Sequence, residues 1–140
     1  MFNFGKKNNM VGFTNGCFDI LHVGHINLIK YLKQNCDFVI IGIDSDNRVK
    51  NLKGNERPFN CQQDRKTMLE SLRFVDRVLI FDSEQELTDM VKSINPDLMI
   101  VGSDYKNKKV IGSEYAKKLH FFEKLDGYST TKILQYTSNR

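Results

Sequence analysis

Apolar positions along this chain fall into two alternating rhythms. Met10 to Phe13 is a short apolar stretch that predicts a strand, running into the turn signal Thr14-Asn15-Gly16. From His25 to Gln34, Ile26, Ile29, Tyr31 and Leu32 recur at roughly helical spacing. Phe38 to Ile43 is a continuous apolar run rich in β-branched residues, as a strand covered on both faces requires. The polar stretch Asp44 to Asn60, with Gly54 and Pro58, reads as a long loop or broken segment. Cys61 to Leu72 predicts a helix whose inner face is Met68, Leu69 and Leu72, and Arg77 to Phe81 a third strand. Ser83 is placed to cap a helix from Glu84 to Ser93, and the acidic first turn suits the helix dipole. Pro96 marks its end.

Leu98 to Val101 predicts a fourth strand, Gly102 to Gly112 a second polar loop, Ser113 to Leu119 a helix and His120 to Lys124 a fifth strand. Asp126-Gly127 then turns the chain into a last helix from about Thr130. This alternation predicts an α/β fold: a Rossmann-like three-layer sandwich on a mainly parallel five-stranded sheet. Residues 1–9 read as a tail and residues 10–140 as one domain, with no internal repeat. Ligands of such sheets bind beyond the carboxyl ends of the strands. The segments expected there are 14–25, 44–57, 102–112 and 127–132, which are also rich in Gly, His, Ser, Thr and basic residues.

Composition narrows the function classes. A chain of 140 residues can bury a sizeable core without metals or disulfides as staples. The net charge of +4 is mild, and no basic stripe is interleaved with aromatics, so nucleic acid is not an expected partner. Met1 to Asn9 lacks a secretory pattern, and the longest apolar run is too short for a bilayer. A cytoplasmic protein without a membrane partner is therefore expected. Cys17, Cys36 and Cys61 form no CxxC pair and no zinc pattern, so free thiols are expected and no protein-held metal.

The chemistry concentrates in Thr14-Asn15-Gly16-Cys17-Phe18-Asp19-Ile20-Leu21-His22-Val23-Gly24-His25. One histidine alone is most often a core or surface residue. Two at i and i+3, with Gly24 between them at a helix start, form a different pattern. They share one face, the glycine admits close approach, and the helix N-terminus adds free N–H donors that suit phosphate. Cys17 would need a base and a lowered pKa to act as a nucleophile, and a packing role is favoured. Arg48, Lys50, Lys53 and Arg57 form a basic run at the ligand edge. Ser129 or Thr130 can cap the last helix, and its first turn can also grip phosphate.

His-x-Gly-His after a Gly-x-Phe-Asp turn resembles the signature of the cytidylyltransferase-like nucleotidyltransferases, and the likeness runs from about Met10 to Gln135. The resemblance implies that His22 and His25 contact the nucleotide phosphates and stabilise the transition state, with Lys53 reaching the β- or γ-phosphate. It implies a nucleotide site of Asn15, Gly16, Cys17, Phe18, Gly24, Gly102, Asp104, Ser129, Thr130 and Thr131. Substrate or phosphate candidates are Asp19, Arg57, Arg65, Tyr105 and Lys132. Leu52-Lys53-Gly54 with Arg57-Pro58, and Gly102-Ser103-Asp104-Tyr105, resemble the bacterial heptose 1-phosphate adenylyltransferases, although Val101 and Ser103 replace a lysine and a glycine. Ser129-Thr130-Thr131-Lys132-Ile133 resembles the glycerol-3-phosphate cytidylyltransferases. The expected activity is transfer of AMP from ATP to a sugar 1-phosphate with release of pyrophosphate. The alternatives are CTP with glycerol 3-phosphate and, in another class, a non-catalytic nucleotide-binding regulatory module. Mg2+ is the expected cofactor, carried largely by the nucleotide, and a homodimer is implied by the resemblance.

Overall fold

The computed structural model describes residues 9–123, 131 and 133–135. Five strands form one sheet: β1 (Val11–Gly16), β2 (Phe38–Asp44), β3 (Arg77–Phe81), β4 (Leu98–Gly102) and β5 (Leu119–Phe122). They lie in the order β3-β2-β1-β4-β5, and every pairing is parallel. Among the described residues four α-helices accompany them: α1 (Val23–Asn35), α2 (Asp46–Lys53), α3 (Gln62–Glu70) and α4 (Glu84–Ile94). This is the expected α/β Rossmann-like architecture.

Parallel strands need helices on both faces, and the strand residues sort accordingly. Val39, Ile41 and Ile43 of β2 and Leu98 and Ile100 of β4 pack with Ile29 and Leu32 of α1 and Leu69 of α3. Ile40 of β2, Phe13 of β1 and Met99 and Val101 of β4 point the other way, onto Leu87 and Val91 of α4. The two buried clusters make the three layers. Gly12 is required by this packing, because a Cβ there would lie 2.6 Å from Leu32 Cδ1.

Several expected boundaries moved. β1 runs on through Thr14-Asn15-Gly16, which the sequence marks as a turn. As a central strand it pairs with both β2 and β4, and Thr14 Oγ1 donates to the Ile100 carbonyl at 2.7 Å. The stretch Asp44 to Asn60, expected as a loop or broken segment, contains α2. Ser45 caps it by accepting from Arg48 N at 3.1 Å, and Gly54 ends it with φ of 103°. Its one buried residue, Val49, is too little for a periodic signal. The expected helix Ser113 to Leu119 is a single 3-10 turn, Ser113–Tyr115. Tyr115 and Leu119 of this stretch, with Val110 and Ile111 just before it, all pack into the α4-side cluster, which an irregular extended path achieves. Among the described residues no helix is long and apolar enough to cross a membrane.

Candidate active site

The strand order reverses direction between β1 and β4, and sheets of this kind bind ligands at such a switch point. A cavity of about 300 Å³ opens there. Asn15, Gly16, Cys17 and Phe18 line it from the end of β1, His25 and Leu28 from α1, and Asp44, Arg48, Leu52 and Lys53 from the end of β2 and from α2. Val101, Gly102, Asp104 and Tyr105 close it from the end of β4. Residues from all but the last of the four expected ligand-edge segments therefore meet in one cavity.

The histidines are held by their own helix. His22 is the N-cap of α1, and its Nδ1 accepts from Gly24 N at 3.1 Å. His25 Nδ1 accepts in return from His22 N at 3.3 Å, completing a capping box. The two rings stack with centroids 3.8 Å apart. An Nδ1 that accepts carries no proton, so each neutral ring bears its hydrogen on Nε2. The backbone bonds thus assign both tautomers and make the opposite edge of each ring a donor. Phe18 backs the pair, its centroid 5.0 Å from that of His25, and it adopts a left-handed φ of 51°. Gly16 makes room for that ring, since a Cβ there would sit 3.1 Å from Phe18 Cε2.

Two phosphate candidates turn out to be internal braces. Arg65 is 1% exposed. Its Nη1 donates to the Cys17 and Asp44 carbonyls at 2.9 and 2.7 Å, its Nε to the Asn60 carbonyl at 3.0 Å, and its Nη2 to Asp46 Oδ1 at 2.9 Å. With its donors engaged in this way it joins the carboxyl ends of β1 and β2 and does not reach into the cavity. Asp19 is likewise buried. Its carboxylate accepts from Phe59 N and Asn60 N at 2.7 and 2.8 Å, and Asn60 Nδ2 returns a bond to its carbonyl. It pins the 54–60 segment against the β1 turn.

Arg57 is different. Its Nε lies 3.5 Å from Asp19 Oδ2, yet Nε and Nη2 are buried without a hydrogen bond. A second cavity, of about 570 Å³, lies between Arg57 and Thr131, and Lys53 lines both cavities. Buried charged donors without hydrogen bonds are costly, so this guanidinium is suited to an anionic ligand. Burial raises the Cys17 thiol above its usual range, by more than the Lys53 and Arg65 charges lower it. A neutral thiol is a poor nucleophile and fits the packing role. Gly24 lies in the capping turn, while Ser129, Thr130 and Lys132 lie outside the described residues. The cavity also uses residues that no motif marked, among them Asp44, Phe81 and Lys109. Position at a strand's carboxyl end was the available signal for Asp44.

The model of one family, described as cytidylyltransferase-like, matches residues 13–136. The chain belongs to that family. Within the cytidylyltransferase-like proteins it is 48% identical over 122 residues to the bifunctional protein HldE of Campylobacter fetus subsp. fetus, covering 87% of this chain and 26% of that protein. It is 44% identical over 123 residues to the protein of the same name from Helicobacter pylori strain HPAG1, covering 88% and 26%. The chain thus spans about a quarter of the length of the curated relatives it matches. A lipopolysaccharide core biosynthesis protein from Thermoplasma volcanium GSS1 superposes with a TM-score of 0.68 at 25% identity, over 85% of this chain and 100% of that one. A pantoate-beta-alanine ligase from Francisella tularensis shares the fold, with a TM-score of 0.61 at 18% identity over 95% and 70% of the two chains.

Proposed function

We propose that this chain transfers AMP from ATP to a sugar 1-phosphate of the heptose 1-phosphate type, releasing pyrophosphate and giving an ADP-sugar. The observation that carries the reading is the capped, stacked His22–His25 pair, of which His25 lines the switch-point cavity. An acceptor phosphate oxygen attacks the α-phosphorus, a new P–O bond forms, and the α–β P–O bond breaks with its electron pair leaving on pyrophosphate. No protein nucleophile is required. The Nε2–H edges donate to the phosphate oxygens as charge shifts toward the leaving group, and the α1 N-terminus adds its dipole. Fixed donors of this kind cost no reorganisation at the moment of reaction.

Lys53 and Arg57 are proposed to take the β- and γ-phosphates. Their shared cavity and the Arg57 nitrogens without hydrogen bonds support this. Mg2+ is proposed to arrive on the triphosphate as its counter-charge. Among the described residues no cluster of three acidic, histidine or cysteine side chains is built to hold a metal, and both Asp19 oxygens are already engaged. A homodimer, a cytoplasmic location and a role in carbohydrate metabolism complete the proposal. The 48% identity to a bifunctional HldE favours adenylyl over cytidylyl transfer.

The test is pyrophosphate release across ATP, CTP, GTP and UTP against sugar 1-phosphates and glycerol 3-phosphate. Turnover with ATP and a sugar 1-phosphate is expected. Turnover with CTP and glycerol 3-phosphate alone would replace the assignment. Nucleotide binding without turnover on any acceptor would make the chain a sensor.

A further inference from the structure

We infer that Asp44 and Arg48 act together as a recognition pair for the acceptor's hydroxyl groups and set which phosphorylated polyol the site accepts. The inference rests on the nucleotidyl-transfer reading above.

Asp44 ends β2, and Arg48 stands one helical turn later in α2; both line the switch-point cavity. Arg48 Nε donates to Asp44 Oδ1 at 2.7 Å, and each side chain is only 15% exposed. The Arg48 guanidinium also lies over the Phe81 ring, 5.5 Å from its centroid. Held at Nε and on one face, it keeps its planar fork in a fixed attitude at the cavity wall.

The chemistry of the pair selects its ligand. Arg57 is only loosely paired: Asp19 Oδ2 lies 3.5 Å away, both Asp19 oxygens already accept backbone N–H groups, and Arg57 Nη2 has no hydrogen bond, which suits that guanidinium to phosphate. Asp44 neutralises Arg48, and its carboxylate would repel a phosphate oxygen brought beside it. A sugar diol meets the pair on better terms, since one hydroxyl donates to the carboxylate and another accepts from the guanidinium. Tyr105 lines the same cavity, and burial, followed by the Asp104 and Asp44 charges, keeps its phenol protonated as a further neutral partner. The site thereby separates phosphate recognition, at Lys53 and Arg57, from recognition of the uncharged polyol. A polar site built to bond a hydroxyl rejects the analogue lacking it far more strongly than an apolar pocket could.

The experiment measures kcat and KM of the full chain with ATP against a heptose 1-phosphate, mannose 1-phosphate, glucose 1-phosphate, its 2-deoxy analogue and glycerol 3-phosphate. It compares the parent with the double variant Asp44→Asn/Arg48→Gln, which leaves no single uncompensated charge. The double variant is expected to lose roughly 10- to 100-fold in kcat/KM for the preferred sugar phosphate, the range for charge-assisted hydrogen bonds. KM for ATP should stay within about twofold, and discrimination between hydroxylated and deoxy acceptors should collapse. Unchanged discrimination, or equal loss for every acceptor, overturns the inference. If the double variant does not fold, Arg48→Lys decides, because it keeps the ion pair and removes the planar fork. Its discrimination should fall with ATP KM steady, and an unchanged preference overturns the inference. A parent that transfers to no acceptor in the panel overturns the proposed function and, with it, this inference.

Discussion

At the residue scale, His22 combines two roles that substitution can separate. Its Nδ1 caps α1 through Gly24 N, and its opposite ring edge is proposed to meet phosphate. Asparagine is a good N-cap, so His22→Asn should keep the helix start while removing the ring donor. Turnover is expected to fall about 100- to 1000-fold, the range for losing one preorganised donor, with the melting temperature nearly unchanged. His25→Ala should show a comparable loss of turnover. Steady-state kinetics beside a thermal melt checks both; a melting loss as large as the kinetic one would make the pair purely structural. Arg65 gives the opposite pattern. Arg65→Met leaves the Cys17, Asp44 and Asn60 carbonyls without their buried donor and is expected to destabilise by about 3 kcal/mol or more, read by urea unfolding.

At the element scale, the site depends on how β1 leaves the sheet. Gly16 is the last residue of β1, and Phe18 turns through a left-handed φ of 51° before α1 begins. That conformation is uncommon for a non-glycine residue and persists because its ring is clamped between Gly16 and His25. Gly16→Ala puts a methyl 3.1 Å from the Phe18 ring. The ring must shift, and His25 loses its backing. The expected result is a loss of about 1–3 kcal/mol in stability from overpacking, together with a raised KM for ATP. Isothermal titration with a non-hydrolysable ATP analogue checks the binding part, and an unaltered affinity would show that Phe18 does not position His25. The α2 helix illustrates why element boundaries were hard to read. It is short and polar, and it is held by the Ser45 cap and the Val49 contact. The sequence pattern in this segment is indistinguishable from that of a solvated loop.

At the scale of the whole molecule, two groups, one part-buried and one buried, contribute to how stability responds to pH. Asp97 accepts from Val11 N at 2.8 Å and from Lys117 Nζ at 2.9 Å, and these bonds, the backbone one foremost, hold its carboxyl below the usual range. A lowered folded value means the stabilisation is present above the unfolded value and is lost as the pH falls through the folded one. Burial, followed by the Asp97 and Asp37 charges, pushes the Cys36 thiol up to about 11. That raised value stabilises fully below the unfolded thiol's range and is lost as the pH climbs toward 11. Melting temperature should therefore decline below about pH 4 and again above about pH 9. Asp97→Asn should flatten the acid limb and Cys36→Ala the alkaline one, and a pH series of melts on each variant is the check. The sequence by itself determined the alternation of strands and helices and the place of the histidine pair at a helix start. Both are local: periodicity and capping act between residues only a few positions apart. Tertiary structure decided what Arg65 and Asp19 do, because their partners lie 48 and 41 positions away and only folding brings them together. It also decided that β1 runs through its turn signal, since the Thr14 hydroxyl meets Ile100 across 86 positions. The acceptor-facing wall of Asp44 and Arg48 has a mixed origin: one helical turn set their spacing, but packing against Phe81 placed them at the cavity.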